Sequence, residues 1–289
     1  MFLFAEGGGH HTPLIVDFVN TYLGKPVYEF QINYTKPLWD NLVFGHFGTN
    51  AEAVFGPYSP ENAIPWYTVM FSIACLLTIT LVHILKGKLS EDDPMPGQLT
   101  LEAGYLAVRD LVSNVIGAHG LKYFPVIATF ATLILVSNLM GLFPLFMSPT
   151  AHISVTIALG ITSFVYYNYL GISENGIKAH LAHLMGPIWW IAPLIFAIEL
   201  FSNLIRPATL GIRLFANMFA DEQIAMNIAG LYPPFTQYLV PVILLPLAVF
   251  VALVQTLVFT LLSAIFIAEV THPHDEHHDG DHGDAQVHA

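Results

Sequence analysis

Charged side chains occur in an unusual place in this sequence, inside the strongly apolar stretch 188–222. They are Glu199, Arg206, Arg213, Asp221 and Glu222. An ionisable residue at membrane depth costs roughly 2.5–3.5 kcal/mol on insertion scales, so such residues mark ion pathways or face partners. Carboxylates can load and unload protons, whereas a guanidinium stays protonated at physiological pH. A fixed cation beside titratable carboxylates is the combination that a controlled proton path needs.

The spacing of these residues predicts a polar stripe along one helix. Glu199, Arg206 and Arg213 are seven residues apart, which is two helical turns in each case. Asn217 follows Arg213 by four residues and shares its face, while Glu222 lies half a turn away. A row of charges facing lipid is implausible. The stripe is therefore predicted to face another protein or a water-filled cavity.

The two arginines are interpreted differently. Arg206 precedes Pro207 and is predicted to form a structural ion pair with Glu199 or Glu222. Arg213 is predicted to be the functional cation. Because its charge is permanent, it cannot relay protons, but it can repel cations, prevent proton leakage and attract a passing carboxylate.

The last apolar run contributes one strongly polar side chain, Gln255. Its amide cannot titrate, but it can hydrogen-bond a guanidinium. The alternative is a hydrogen bond that joins two helices. Glu269 ends this run and is predicted to lie at the membrane interface.

Composition places these residues in an all-α integral membrane protein. Of the 289 residues, 55% are hydrophobic and only 10% are charged, whereas soluble domains carry about 25% charged residues. Five apolar runs can cross a bilayer, at about 63–86, 123–147, 151–170, 188–230 and 236–270. The last two are longer than a bilayer requires, so they are predicted to be long, strongly tilted helices.

The segment 95–122 is predicted to be one amphipathic helix on the membrane surface. Its apolar residues recur at helical spacing. It also contains Glu102, Arg109, Asp110 and Lys122, and is therefore too polar to span the bilayer.

Basic residues set the predicted orientation. Lys86, Lys88, Arg109 and Lys122 lie between the first and second runs, and Lys178 lies between the third and fourth. If these loops are cytoplasmic, five crossings place the N-terminus outside and the C-terminus inside.

Three regions are predicted along the chain. An extracytoplasmic N-terminal segment (1–62) packs on the outer membrane surface as short elements, and a membrane domain covers 63–270. A disordered tail rich in His and Asp (271–289) follows in the cytoplasm. The tail is interpreted as solvated rather than metal-binding, so no metal site or cofactor is predicted. The net charge of −12 does not favour nucleic-acid binding, which needs a basic patch.

One family shares these motifs. The stretch RPATLGIRLFANMFADE (206–222) closely resembles the signature of subunit a of the F-type ATP synthase, the static half of a rotary membrane motor. Arg213 falls on the essential arginine of that signature, Asn217 on its asparagine and Glu222 on its acidic position. Glu199 falls on an upstream glutamate and Gln255 on the glutamine of the last helix.

Three further segments carry the same resemblance in consistent order. SNLMGLFP (137–144) resembles the second-span motif, with Asn138 on its asparagine. PTAHISVTIALG (149–160) resembles the start of the third span, and PGQLTLE (96–102) the start of the surface helix. The chain departs from the family at His152, often Asp, at Asp221, commonly Gly, and at Ala248, which is His in some relatives.

The resemblance implies a mechanism with two aqueous half-channels that reach a rotating ring of c subunits. Glu222, Asp221, Asn138 and His152 are the implied lining of the outer half-channel. Glu199 and Ser202 are the implied lining of the inner one. Arg213 separates the two by favouring the ionised form of a ring carboxylate and blocking a direct leak.

The resemblance also implies partners and a location. The implied partners are the c-ring, the b subunits of the peripheral stalk, membrane lipid and protons rather than sodium. The implied location is a bacterial inner membrane, and the chain is not an enzyme on its own. Two alternatives are a secondary transporter whose intramembrane arginine binds an anionic substrate, and a membrane scaffold without transport.

Overall fold

The computed structural model describes residues 13–42, 59, 63–87, 90, 94–143, 146–185, 190–229 and 235–271. Within these residues the secondary structure is helical, without strands. Helix α1 is Leu14–Phe30, a π-helical turn follows at Gln31–Thr35, and α2 is Lys36–Leu42. The remaining helices are α3 (Trp66–Lys86), α4 (Pro96–Ile116), α5 (Phe124–Met140), α6 (Ile153–Met185), α7 (Ala192–Ala229) and α8 (Phe235–Thr271).

Five helical stretches are long and apolar enough to cross a membrane, which confirms the predicted fold class. They are Trp66–Lys86, His119–Met140, Ile153–Gly176, Pro193–Ala225 and Val242–Thr271. Helices α7 and α8 contain 38 and 37 residues, so each is about 55 Å long and exceeds the hydrocarbon core of a bilayer. Their predicted length is confirmed, whereas their tilt stays a prediction.

The helix predicted over 95–122 is shorter than expected. Helix α4 ends at Ile116, and Gly117 follows with φ 88°, a left-handed conformation that glycine adopts without steric cost. A 3-10 turn at Ala118–Tyr123 then leads directly into α5. The prediction was wrong at this end, because Lys122 belongs to the second crossing and not to the amphipathic helix.

The chain forms two compact units. The first unit contains Met1–Leu101, Thr132–Thr156 and Arg213–Thr256. The second unit contains Glu102–Ala131, Ile157–Ile212 and Leu257–Ala289. Each unit has its own apolar core. The core of the first includes Val16, Val69, Met70, Ala74 and Met140, and that of the second includes Val112, Ile116, Tyr123, Phe124, Ile127, Tyr167, Ala264 and Ile267.

Within the second unit, α6 and α7 approach each other closely at Gly160. A Cβ atom on Gly160 would lie 2.4 Å from the carbonyl oxygen of Pro207. This distance is shorter than any van der Waals contact, so only glycine allows the two backbones to meet here. Farther along α6, the hydroxyls of Ser163 and Ser263 are hydrogen-bonded at 3.1 Å and connect α6 to α8.

The end of the third crossing is marked by a backbone break. Helix α6 is interrupted at Gly176, which has φ 78° and ψ 156°. Beside this break, the Asn175 amide donates to the carbonyl oxygen of Val270 at 2.7 Å and Lys122 contacts Glu174 at 2.5 Å. Tyr123 donates a further hydrogen bond to Glu174. The ends of α6 and α8 and the start of α5 are thus joined by polar contacts.

Candidate functional site

Arg206 lies at the centre of the polar contacts of the second unit. Its Nη1 donates to Glu269 Oε2 at 2.5 Å and its Nη2 donates to Glu269 Oε1 at 2.8 Å. The Nη2 group also lies 3.5 Å from Glu199 Oε1, so the structure places Arg206 beside one of its two predicted partners. The guanidinium carbon lies 5.3 Å from the centroid of the Phe266 ring, a cation–π distance.

Glu269 is the partner that the sequence did not suggest. Its two carboxylate oxygens match the two forks of the guanidinium, which is the geometry of the strongest carboxylate–arginine pairs. Glu199 has only the longer contact. Both carboxylate oxygens of Glu269 therefore accept hydrogen bonds from Arg206, whereas Glu199 can still accept hydrogen bonds from other groups.

A second hydrogen-bonded group lies on α6 and α7 in the same unit. The Tyr167 hydroxyl donates to Asn203 Oδ1 at 2.6 Å, and the Asn203 amide donates to Asn168 Oδ1 at 3.3 Å. The ring of Tyr167 is buried. Tyr167 and Asn168 were not predicted as site residues, although their polar side chains lie within a predicted membrane span. Ser202 is half-buried, and its hydroxyl makes no hydrogen bond to the described residues.

In the first unit, Asn138 belongs to a small buried polar cluster. Thr150 Oγ1 donates to Asn138 Oδ1 at 2.7 Å, and Ser148 Oγ donates to the carbonyl oxygen of Ser137 at 3.0 Å. The Ser148 and Thr150 hydroxyls are themselves 2.7 Å apart. The cluster joins the last turn of α5 to the 3-10 turn Pro149–Ala151. The sequence indicated Asn138 but none of the hydroxyls around it.

Three buried polar atoms have no hydrogen-bond partner among the described residues. They are Ser137 Oγ, Asn138 Nδ2 and Asp221 Oδ2, all in the first unit. Leaving such a group unsatisfied costs about 1–3 kcal/mol, so buried polar atoms are normally bound to protein or to ordered water. Asn138 and Asp221 thus each keep one buried polar atom that is available to bind water. Glu222, the neighbour of Asp221, is half-buried.

His152 lies directly before α6, outside the third crossing. Its ring stacks on Tyr67, with centroids 3.9 Å apart and an interplanar angle of 13°, and Trp66 meets it edge-on at 5.7 Å. The His152 Nδ1 accepts a hydrogen bond from the Ser154 amide at 3.3 Å. Burial against these groups lowers the pKa of His152 below its ordinary value. The imidazole is therefore neutral at physiological pH.

Arg213 is in a different environment from Arg206. Its side chain is exposed, whereas the neighbouring Leu214 and Met218 are buried. Asn217 and Gln255 are half-buried. Within the part of the chain that the structure describes, Arg213, Asn217 and Gln255 make no side-chain hydrogen bond, so the structure does not pair Gln255 with the guanidinium.

The predicted site residues divide between the two units. Those predicted for an outer half-channel, Glu222, Asp221, Asn138 and His152, all belong to the first unit. Glu199 and Ser202, predicted for an inner one, belong to the second. Within α7, Arg213 is the first residue of the segment that belongs to the first unit. The described residues contain no group of three or more His, Cys, Asp or Glu that could hold a metal ion, and the His-rich tail lies outside them.

Comparison with known proteins gives a consistent match. The chain matches the profile of the ATP synthase A chain over residues 68–268. It is 37% identical over 225 residues to ATP synthase subunit a 2 of Syntrophotalea carbinolica, which covers 77% of this chain and 91% of that protein. It is 39% identical over 195 residues to ATP synthase subunit a of Geobacter sulfurreducens, and this match covers 68% of this chain and 82% of that protein. It is also 39% identical over 210 residues to ATP synthase subunit a of Aquifex aeolicus, and this match covers 70% of this chain and 94% of that protein.

The matched stretch contains all the predicted site residues. Glu269, the main partner of Arg206, lies one residue beyond it, and helices α1 and α2 lie before it.

Proposed function

The chain belongs to the ATP synthase A chain family, whose members are stator subunits of the F-type ATP synthase, and we propose that Arg213 is its electrostatic gate between two proton half-channels. The observation that carries this proposal is the exposure of the Arg213 side chain on a membrane-crossing helix. An exposed permanent cation at this depth is costly unless it meets an anion or water. A carboxylate on the c-ring would supply the anion.

The gate would act through charge. A guanidinium close to a carboxylate favours its ionised form, so a ring carboxylate that reaches Arg213 gives up its proton. Because Arg213 cannot release its own proton, it does not pass protons across the gate. Its positive charge also repels a proton that would cross directly between the half-channels. One elementary charge that crosses 100 mV releases about 2.3 kcal/mol, which is the energy available for rotating the ring.

The outer half-channel would be formed by residues of the first unit. Asp221 and Glu222 would exchange protons, while Asn138 would hold water with its unsatisfied amide hydrogens. A neutral His152 beside this path would offer an uncharged imidazole rather than a fixed positive charge. The unsatisfied atoms at Asn138 and Asp221 support this assignment, because a water-lined path needs polar atoms that the protein leaves unpaired.

The inner half-channel would be formed by residues of the second unit. Arg206 holds Glu269 through two short hydrogen bonds and approaches Glu199 only at 3.5 Å. In this scheme Glu199 would take up the proton that leaves the ring, and Ser202 would assist it through its hydroxyl group. Arg206 itself is a structural residue in this scheme, because both of its terminal nitrogens, Nη1 and Nη2, already donate hydrogen bonds to Glu269.

The family assignment carries further proposals about partners and location. The partners would be the c-ring and the b subunits of the peripheral stalk. The transported ion would be the proton rather than sodium. The protein would be a multi-pass protein of a bacterial inner membrane with its N-terminus outside and its C-terminus in the cytoplasm.

Co-purification tests this proposal against a secondary transporter. The tagged chain, purified in a mild detergent from its native membrane, should carry with it a ring of small subunits and the soluble ATPase. Inhibiting the ring should stop ATP-driven proton uptake by the reconstituted complex. Isolation as a detergent-stable monomer that moves an anionic metabolite by itself would contradict the proposal.

A further inference from the structure

A line of exposed apolar residues runs along helix α1, the π-helical turn and α2. We call it the N-terminal row, and it occupies every fourth position: Leu14, Phe18, Tyr22, Pro26, Phe30, Tyr34 and Leu38. The six large side chains among them are each more than half exposed. Neighbouring rings of the row touch, since the centroids of Phe18 and Tyr22 are 4.8 Å apart and those of Phe30 and Tyr34 are 5.3 Å apart. The row therefore contains two pairs of touching rings, one on each side of Pro26.

The other sides of α1 have different characters. Val16, Asn20 and Gly24 are buried and form the packed side of the helix. Positions 17, 21, 25 and 29, each one residue before a member of the N-terminal row, are polar and exposed. The helix thus has a packed side, a polar side and an exposed apolar side.

Side-chain amides attach α1 to the residues just before the first crossing. The Asn20 amide donates to the Ile64 carbonyl at 3.1 Å and accepts from the Ile64 N–H at 3.1 Å. Eleven residues later, Gln31 donates to the Ala63 carbonyl at 2.9 Å. Asn20 and Gln31 are therefore both held beside residues 63 and 64, which lie just before Pro65 and the start of α3.

The first turns of α1 reach farther into the crossing. Val16 packs in one apolar core with Val69, Met70 and Ala74, which lie in the first three turns of α3. Leu14 and Phe18 flank Val16 along the helix but point away from this core, as their exposure shows. These two side chains are thus exposed at the depth of a membrane-spanning segment.

We propose that the N-terminal row is a lipid-binding surface that inserts into the leaflet where α3 begins. An apolar helix face at membrane depth, bordered by a polar side that includes Asp17 and Lys25, is the pattern of an interfacial helix. Leucine and phenylalanine are suited to the apolar face of such a helix, and tyrosine to the level where the hydrocarbon meets the headgroups. Trp66 and Tyr67, the first two residues of α3, are also aromatic and lie where this crossing begins.

Spin labelling in the whole reconstituted complex tests this proposal. Single cysteines replace Phe18 and Tyr22 on the row, and Thr21 and Lys25 on the polar side, after Cys75→Ser removes the one native cysteine. Each nitroxide is exposed to oxygen, which partitions into lipid, and to a water-soluble nickel chelate. Collisions with oxygen, and not with the nickel chelate, should increase the relaxation rate of the nitroxides at positions 18 and 22. At positions 21 and 25 the nickel chelate should increase the relaxation rate, and oxygen should not. A label in place of Leu14 should lie deeper in the lipid than one in place of Tyr34.

Two results would overturn the proposal. Equal nickel accessibility at Phe18 and Lys25 would show that the row faces water. Low accessibility of the row to both reagents would show that another protein chain covers it. Phe18→Trp, compared with Lys25→Trp, gives an independent measurement, because brominated lipids should quench the added fluorescence only at position 18. Neither measurement depends on proton transport, so the outcome is separate from that of the Arg213 proposal.

Discussion

Arg206 and Glu269 are 63 residues apart in the sequence, yet they form a two-fork ion pair that joins α7 to α8. Nη1 meets Oε2 at 2.5 Å and Nη2 meets Oε1 at 2.8 Å. This planar geometry is available to arginine and not to lysine. The pair fixes α7 against α8 seven residues after Glu199, on the helix that also carries Arg213.

The Arg206–Glu269 pair is expected to stabilise the chain. Because the Arg206 side chain is only 20% exposed, removing its partner leaves a charge that is partly shielded from water. Arg206→Gln and Glu269→Gln should each cost about 1–2 kcal/mol of the free energy of unfolding. This cost corresponds to a fall of about 2–8 °C in the melting temperature of the chain in the solubilised complex.

A double-mutant cycle separates the pair from its surroundings. The double variant should melt close to the worse of the two single variants, because the second substitution removes a charge that has already lost its partner. Glu199→Gln should have a smaller effect on melting, since its contact with Arg206 is longer. Strict additivity of the two single losses would contradict the account of a coupled pair.

Gly160→Ala is expected to destabilise the second unit. The new methyl group would lie 2.4 Å from the Pro207 carbonyl oxygen, so α6 and α7 would have to separate. A cost of about 1–3 kcal/mol is the usual scale of such overpacking. Thermal melting of the complex measures this loss.

Gly104→Ala is the matched control, because no atom lies within 4 Å of a Cβ built on Gly104. In an exposed helix, replacing glycine by alanine should stabilise by about 0.5–1 kcal/mol. Opposite signs for the two substitutions are expected. A neutral Gly160→Ala variant would show that the two helices are not in close contact.

The lowered pKa of His152 leads us to expect that the folded chain loses stability on acidification. Its pKa is lowered in the folded chain, so between that value and the unfolded value of about 6.5 the unfolded chain binds more protons. Stability should therefore fall as the pH drops below about 6.5. His152→Phe keeps a ring for stacking on Tyr67 and removes the titration. The difference in melting temperature between the two proteins should grow from pH 7.5 to pH 5.5, and a constant difference would argue against a shifted His152.

The sequence was sufficient for the number and approximate positions of the membrane-spanning helices, because these depend on composition over long windows. The five apolar runs coincide with the five crossings. The break at Gly117 was missed because apolar periodicity continues on both sides of it, and only the backbone conformation shows that the chain turns there. Gly117 and Gly120 lie near the end of this segment, but Gly104 in the same segment stays helical, so the presence of a glycine did not identify the turn.

The site was less predictable than the fold. Motif spacing identified Glu199 and Arg206 as neighbours because they lie on one helix. It could not identify Glu269, because that pairing depends on how α7 packs against α8. Likewise, Asn138 was evident from its motif, whereas Ser148 and Thr150 approach it only through the turn before α6.

The role of Arg213 is tested most directly by Arg213→Ala, with Ile212→Ala as the control. Ile212 is the preceding residue and is also exposed, but it has no charge. Both variants should assemble with the normal amount of c-ring. ATP synthesis by inverted vesicles, driven by an imposed proton gradient, should persist in Ile212→Ala and fall at least about a hundredfold in Arg213→Ala, the scale of losing a preorganised charge. Substantial synthesis by an assembled Arg213→Ala complex would contradict the proposed gate.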